Sequence, residues 1–239
     1  KDKQLATEVN FKQIDDILDL VSNEQTIIFP NTNSGYGTRS SGVCTEEQKL
    51  KPISHYGVTK CDAENILADR GNSIIFRFAT VFGVSPRMRL DLLVNEFVYK
   101  ALTDKYITIF ERKAVRNYIH IRDVADVFSF MVDNQVSYKG DIFNVGLSNA
   151  NINKQQLAEL IKKYISDFAI TYSDYYEDPD KRDYIVSNEK IESTGWLPKY
   201  TLHDGIKELI MAYQIIINND TSHFRNGFPL TYGAALWRY

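Results

Sequence analysis

Tyr56 and Lys60 stand four residues apart in the stretch Pro52-Ile53-Ser54-His55-Tyr56-Gly57-Val58-Thr59-Lys60. On a helix that spacing puts both on one face, about one turn apart. A free tyrosine phenol ionises near about pH 10 and is no base at neutral pH. An adjacent ammonium favours the phenolate and brings its pKa toward the working range. Such a pair can take a proton from an alcohol or sugar hydroxyl while hydride leaves the carbon. A Tyr-x-x-x-Lys pair also occurs on ordinary amphipathic helices, so its surroundings decide. Upstream, a short β-rich run, Gln25 to Phe29, stops at Pro30 and flows into Asn31-Thr32-Asn33-Ser34-Gly35-Tyr36-Gly37. The C-terminal end of a parallel strand is where ligands bind in an open α/β sheet. A hydroxyl there, on Thr32, can bond the oxygen that Tyr56 deprotonates. The next strand, Ser73 to Ala79, ends in Thr80-Val81-Phe82-Gly83, which brings a second strand end to the same pocket.

The elements that must position these residues alternate. Leu5, Val9, Ile14, Ile17, Leu18 and Val21 recur at spacings of three and four, which predicts a first helix. Gln25 to Phe29 forms the first strand, and a polar loop runs to about Pro52. Ser54 can cap a helix from about His55 to Ala68, ended near Gly71. Continuous apolar strands between amphipathic helices imply a parallel sheet covered on both faces. Farther on, the pattern predicts a helix from Arg89 to Thr103 and a strand from Tyr106 to Phe110. An extended piece follows from Asn117 to Ile121, and Ile121 to Met131 carries a helical stripe. Asp141 to Val145 reads as a strand, and two more helices carry Leu157 to Ile165 and Leu202 to Tyr213. The stretch from Phe224 to Tyr239 is an aromatic tail without period, expected to pack on another surface.

Composition narrows the function. The 239 residues are 44% apolar and 25% charged, an ordinary globular balance. With 28 Lys and Arg against 31 Asp and Glu, the formal charge is −3, which argues against a nucleic-acid binder. The run Leu209 to Ile217 is too short to span a bilayer, and no apolar leader opens the sequence. Cys44 and Cys61 make no disulfide framework, so a cytoplasmic setting is expected. No His, Cys and Asp spacing suggests a metal site. His120 reads as a hydrogen-bonding core histidine, and Cys61 as a small helix filler.

Seven pieces in order carry a resemblance. They are Val9-Asn10-Phe11, Thr32 before Tyr36-Gly37, Pro52 to Lys60, Arg77-Phe78-Ala79-Thr80-Val81-Phe82-Gly83, Arg116-Asn117-Tyr118-Ile119-His120-Ile121-Arg122-Asp123-Val124-Ala125, Phe143-Asn144-Val145-Gly146 and Gly195-Trp196-Leu197-Pro198. Together they resemble the last two thirds of an extended short-chain dehydrogenase/reductase, the NAD-dependent nucleotide-sugar epimerase/dehydratase family. The resemblance implies an α/β fold: a Rossmann-like doubly wound parallel sheet with a smaller C-terminal α/β substrate domain. Residues 1–84 would then belong to the NAD-binding domain and 85–239 mainly to the substrate domain, with segments near 115–145 returning to the first. The family's Gly-rich phosphate turn and first βαβ units have no counterpart here, and they are expected to precede the given residues. Gly35-Tyr36-Gly37 is no substitute, because it follows a later strand and opens no helix.

The same resemblance implies roles. Tyr56 is the base, Lys60 lowers its pKa and contacts the nicotinamide ribose, and Thr32 orients a sugar C4 hydroxyl. Asn10, Asn31 and Ala79, with Tyr56 and Lys60, face the NAD cofactor. Arg116 and Arg182 neutralise the diphosphate, Arg87 is a further candidate, and Leu92, Leu93 and Phe110 flank the nucleotide base. Asn33 and Thr80 line the sugar with Thr32. Asn33-Ser34 is uncharged where the family's 4,6-dehydratases carry acid, which disfavours dehydration. The stretch Phe78 to Asn95 looks most like dehydrogenases of GDP-heptose capsule pathways. The expected function is NAD-dependent oxidation at a sugar C4, with a GDP-sugar favoured. A UDP-sugar 4-epimerase and a non-catalytic sugar-nucleotide-binding relative are the alternatives. A homodimer through the helices near residues 5–22 and 54–70 would be family-typical.

Overall fold

The structure, a computed structural model, describes residues 3–173 and 182–216. Its N-terminal helix is continuous but changes pitch: α1 (Lys3–Thr7), a π-helical turn at Glu8–Lys12, then α2 (Gln13–Leu20). Strand β1 (Ile27–Thr32) leads through a single 3₁₀ turn, Asn33–Tyr36, into β2 (Thr38–Cys44). Helix α3 (His55–Arg70) and strands β3 (Ser73–Phe78) and β4 (Thr80–Phe82) follow. Next come α4 (Leu93–Thr103), β5 (Tyr106–Phe110), β6 (Val115–Arg116), β7 (Tyr118–His120) and α5 (Ile121–Tyr138). The remainder is β8 (Ile142–Val145), β9 (Ile152–Asn153), α6 (Lys154–Lys162), β10 (Ala169–Ser173), β11 (Asp183–Val186), α7 (Glu189–Glu192) and α8 (Leu202–Ile216).

The central sheet runs β1-β3-β8, all parallel. Every residue of β3 is buried, as a middle strand covered on both faces must be. Side chains alternate along it. Ile75 joins Phe29, Ala63 and Leu67 under α2 and α3. Ile74 and Phe76 point the other way and meet Val127 and Met131 of α5 and Phe143 of β8. The sheet is thus wound on both sides, as expected. Each such fully buried apolar side chain contributes roughly 1.5–3 kcal/mol over an exposed one. A larger second core gathers α4, β5, α6 and α8 around Val98, Ile107, Leu157, Ile206, Leu209 and Tyr213.

Smaller parallel pairs, β2 with β11, β4 with β7 and β5 with β10, and the antiparallel pair β6 with β9, connect the two cores. His120, fully buried, clamps α8 to the end of β7. Its Nε2 lies 2.6 Å from Glu208 Oε2, and its Nδ1 accepts from the Arg122 amide at 3.2 Å. That geometry fits the core histidine read from the sequence. Gly205 lets α8 come so close, since a Cβ there would stand 2.2 Å from Phe82 Cε2.

Several boundaries differ from the sequence pattern. The strand expected to stop at Pro30 continues to Thr32. β1 pairs only with β3 among the described residues, so the missing N–H of Pro30 breaks no ladder there. The polar loop read from Gly37 to Pro52 contains β2, which depends on its partner β11 about 140 residues away. The helix expected from Arg89 begins at Leu93, because Arg89 forks onto Asp91 at 2.9 and 2.7 Å in the preceding loop. The aromatic tail from Phe224 to Tyr239 lies outside the described residues.

Candidate active site

Helix α3 starts where the sequence says it should. Ser54 is extended and accepts a hydrogen bond from the Gly57 amide at 3.1 Å, and Gly71 closes the other end in the left-handed region at φ 76°. Gly57 is needed for close approach, since a Cβ there would stand 2.9 Å from the Pro52 Cβ. This fixes Tyr56 and Lys60 over the C-terminal end of β1. Thr32, at the end of β1, is among the groups that pull the Tyr56 phenol down. The Tyr56 residue is 47% exposed, yet its hydroxyl end is surrounded by protein. Burial pushes the phenol up, more than the Thr32 bond and the charges of Arg182 and Arg89 pull it down.

Lys60 takes a different posture from the one that its role suggests. The side chain is buried, and its ammonium sits 3.9 Å above the centre of the Phe29 ring. Burial without an anion pushes its pKa down to about 8. The cations acting on Tyr56 here are Arg182 and Arg89, while Lys60 faces the aromatic ring. Next to it, Asn10 projects from the π-helical turn and donates to Thr59 Oγ1 at 3.2 Å. π-turns recur at functional sites because they re-aim one side chain. Ala79 is buried just past β3, its amide donating to the Val145 carbonyl at 2.9 Å. Asn31 is buried and its amide nitrogen donates to Glu64 Oε2, so that end of it is committed to the scaffold.

Beneath the site lies a polar network that no sequence pattern announced. Arg77 of β3 and Glu64 of α3 form a buried ion pair, with Nη2 to Oε1 at 2.6 Å and Nε to Oε2 at 3.1 Å. Arg77 Nη1 donates to the Tyr36 hydroxyl at 2.9 Å and to the Glu46 carbonyl at 3.1 Å. The Tyr36 hydroxyl donates to Asn144 Oδ1 at 2.7 Å, and burial pushes its pKa up to about 12. The network ties β1, α3, β3 and β8 together immediately below Thr32. The only signal in the sequence was Tyr36, Arg77 and Asn144 lying inside recognised motifs; Glu64 lay outside all of them.

The expected substrate residues sort by place. Ser34 Oγ receives a hydrogen bond from Thr32 Oγ1 at 2.9 Å and another from Arg182 Nη1, which puts Arg182 beside Thr32 and Tyr56. Asn33 is 1% exposed, and neither atom of its amide finds a partner among the described residues. Arg116 is buried, donates to the Val115 carbonyl at 3.0 Å and lies 5.7 Å from the Tyr184 ring centre. The Val115 amide donates to Asp183 at 2.8 Å, so Arg116 and Arg182 are brought to adjoining strands. The Thr80 amide donates to the Asn117 carbonyl at 2.9 Å. Arg87 is exposed, while Leu92, Leu93 and Phe110 are half-buried, with Leu93 packed on the larger core. Ser34 and Arg89 are contributors that the sequence reading left without a role. Cys61 is buried, and burial pushes its thiol up to about 12, which makes it inert. Among the described residues, no group of three or more His, Cys, Asp or Glu could hold a metal ion.

Comparison with known proteins gives this geometry a context. The family model described as "NAD dependent epimerase/dehydratase family" matches residues 1–146. An uncharacterized UDP-glucose epimerase of Bacillus subtilis is 35% identical over 105 residues, covering 41% of this chain and 32% of that protein. The bovine dTDP-D-glucose 4,6-dehydratase is 25% identical over 208 residues, covering 82% of this chain and 57% of its own. The crystal structure of dTDP-glucose 4,6-dehydratase from Bacillus anthracis, in complex with NAD, superposes with a TM-score of 0.73 at 25% identity. That match covers 88% of this chain and 69% of the other. The chain thus spans only part of its curated relatives, 32% of one and 57% of another.

Proposed function

The chain belongs to the NAD dependent epimerase/dehydratase family, and from that premise we propose that it is an NAD-dependent oxidoreductase acting on the C4 hydroxyl of a nucleotide sugar. The observation that carries this reading is the pair Tyr56 and Lys60, one turn apart on α3, with Lys60 packed on Phe29 of the strand that ends in Thr32. The residues present fit the nicotinamide end of a dinucleotide. Lys60 offers a buried ammonium with no anionic partner among the described residues, next to Asn10 and a small buried Ala79. NAD, when bound, accepts the hydride.

The side chains do the rest. Tyr56 as phenolate takes the proton of the C4 hydroxyl, and Thr32 holds that hydroxyl in line. Lys60 would hold the ribose of the cofactor and supply positive charge at the nicotinamide end of the site. Arg116 and Arg182 carry the charge and forked geometry that a diphosphate requires. The uncharged Asn33-Ser34 pair supports oxidation without dehydration. A GDP-sugar is favoured by the sequence between Phe78 and Asn95. A UDP-sugar 4-epimerase is the second reading, favoured by the likeness to a Bacillus subtilis UDP-glucose epimerase.

We further place residues 1–84 in the cofactor domain and most of 85–239 in the substrate domain. A homodimer would pair the helices bearing exposed Leu5, Val9, Ile17 and Val58. No helix among the described residues is long and apolar enough to cross a membrane, and a cytoplasmic setting is part of the proposal.

The test is direct. Purified full-length protein is denatured and its released small molecules identified by mass spectrometry. Formation of NADH is then followed with GDP-, UDP- and dTDP-sugars. Released NAD, together with sugar-dependent NADH or a 4-epimer product, supports the reading. Absence of both dinucleotide binding and turnover removes it.

A further inference from the structure

His55, the first residue of α3 and the neighbour of Tyr56, reaches back to the N-terminal helix. Its Nε2 lies 2.9 Å from the Lys3 carbonyl and 2.9 Å from Thr7 Oγ1, and Thr7 Oγ1 donates to the same carbonyl at 3.0 Å. A carbonyl only accepts, so Nε2 must carry hydrogen, and the Thr7 hydroxyl gives its own to Lys3. One N–H thus holds α1 to the first turn of α3. The next link lies inside the π-helical turn. Asn10 donates to Thr59 Oγ1 at 3.2 Å, and Thr59 Oγ1 donates to the Tyr56 carbonyl at 3.1 Å. Helix α3 therefore grips the N-terminal helix twice, through His55 just before the π turn and through Thr59 within it. Tyr56 lies between the two grips.

A π turn is rare, and an ordinary α turn is the default for the backbone. Rewinding Glu8–Lys12 as α-helix would rotate α1 against α2 by about 100°, the angle of one residue. Helix α2 is pinned, because Ile14 and Leu18 pack on Phe29, Ala63 and Leu67. The rotation would therefore carry Lys3 and Thr7 away from His55, and the His55 bonds oppose it. We propose that His55 is a positioning residue: by holding α1 it keeps the π turn wound and keeps Asn10 on Thr59, beside Lys60 and one turn from Tyr56. The inference rests on the reading of α3 as the active helix with the cofactor at its first turns. In this role His55 acts on the cofactor only through Asn10. Its loss loosens the π turn even with no ligand present.

The experiment measures two quantities in full-length protein: amide hydrogen exchange of residues 8–12 without ligand, and the Kd for NAD. His55→Ala is expected to speed exchange in the π turn about tenfold and to weaken NAD binding about fivefold, the scale of one lost hydrogen bond. His55→Gln keeps an N–H donor at similar reach and should stay within about twofold of wild type in both. In an Asn10→Ala background, His55→Ala should weaken NAD no further, because the path runs through Asn10. Unchanged exchange at residues 8–12 in His55→Ala overturns the proposal. So does an equal loss of NAD affinity with and without Asn10, and so does a His55→Gln protein as impaired as His55→Ala. Should His55→Ala fail to fold, Thr7→Val removes the second partner of Nε2 and must loosen the same five amides. Neither readout needs turnover, so the two readings can fail separately. The expected changes in a protein that binds NAD but oxidises no nucleotide sugar would keep His55 as the positioning residue and remove the oxidoreductase reading.

Discussion

Replacing Glu64 with Gln removes one charge from the ion pair beneath the site and leaves Arg77 buried without its counter-ion. Both side chains are 5% exposed, and two bonds of 2.6 and 3.1 Å join them. Removing one partner of such a pair costs roughly 3–5 kcal/mol, because the remaining charge is stranded in low dielectric. Two features pull the estimate to the lower end. Arg77 keeps its bonds to Tyr36 and to the Glu46 carbonyl. A cavity of about 430 Å³, lined by Glu64, Arg77, Cys61 and Leu50 among others, gives water a path to the guanidinium. About 3 kcal/mol is therefore expected. For a chain of this size each kcal/mol lowers Tm by about 2–4 °C, so a fall of roughly 6–12 °C should follow. The assay is urea and thermal unfolding of wild type, Glu64→Gln and the double variant Glu64→Leu/Arg77→Met. The double variant should recover much of the loss, since an apolar pair of similar volume strands no charge. A loss under about 1 kcal/mol in Glu64→Gln, or a double variant worse than the single, would refute the argument that the unpaired charge is stranded in low dielectric.

Other perturbations test other links. Tyr56→Phe should abolish oxidation and leave nucleotide-sugar affinity nearly intact, because only the transition state uses the proton transfer; turnover within a few fold of wild type would exclude Tyr56 as the base. Burial lowers the Lys60 pKa from 10.5 to about 8, so between those values the unfolded chain binds more protons than the folded one. Stability contributed at this site is therefore lowest below about pH 8 and rises as pH climbs toward the unfolded value. Lys60→Met should accordingly be more stable than wild type near about pH 7, with the advantage shrinking above about pH 8; a pH-independent difference in urea unfolding would contradict it. Ser54→Ala removes the cap of α3 and should cost about 1 kcal/mol in the same assay, with the Gly57 amide gaining exchange with solvent; unchanged protection at Gly57 would show the cap to be idle.

The local part of this protein was legible in its sequence. Helix α3 is fixed by a capping serine and a terminal glycine, both within reach of their own neighbours, so Tyr56 and Lys60 could be placed on one face before any fold was known. The continuous apolar run Ile74, Ile75 and Phe76 likewise announced a strand covered on both sides. What escaped were features whose partners lie far along the chain. Strand β2 looks like polar loop until β11 pairs with it, and Glu64 looks like a surface residue until Arg77 is folded against it. The posture of Lys60 over Phe29 and the arrival of Arg182 on Ser34, 148 residues away, were equally hidden. Backbone preference depends on residues a turn or a pleat apart, and periodicity records it. The choice of partner for a buried charge or hydroxyl is made by whatever packing brings within hydrogen-bond reach, and only the tertiary structure decides that.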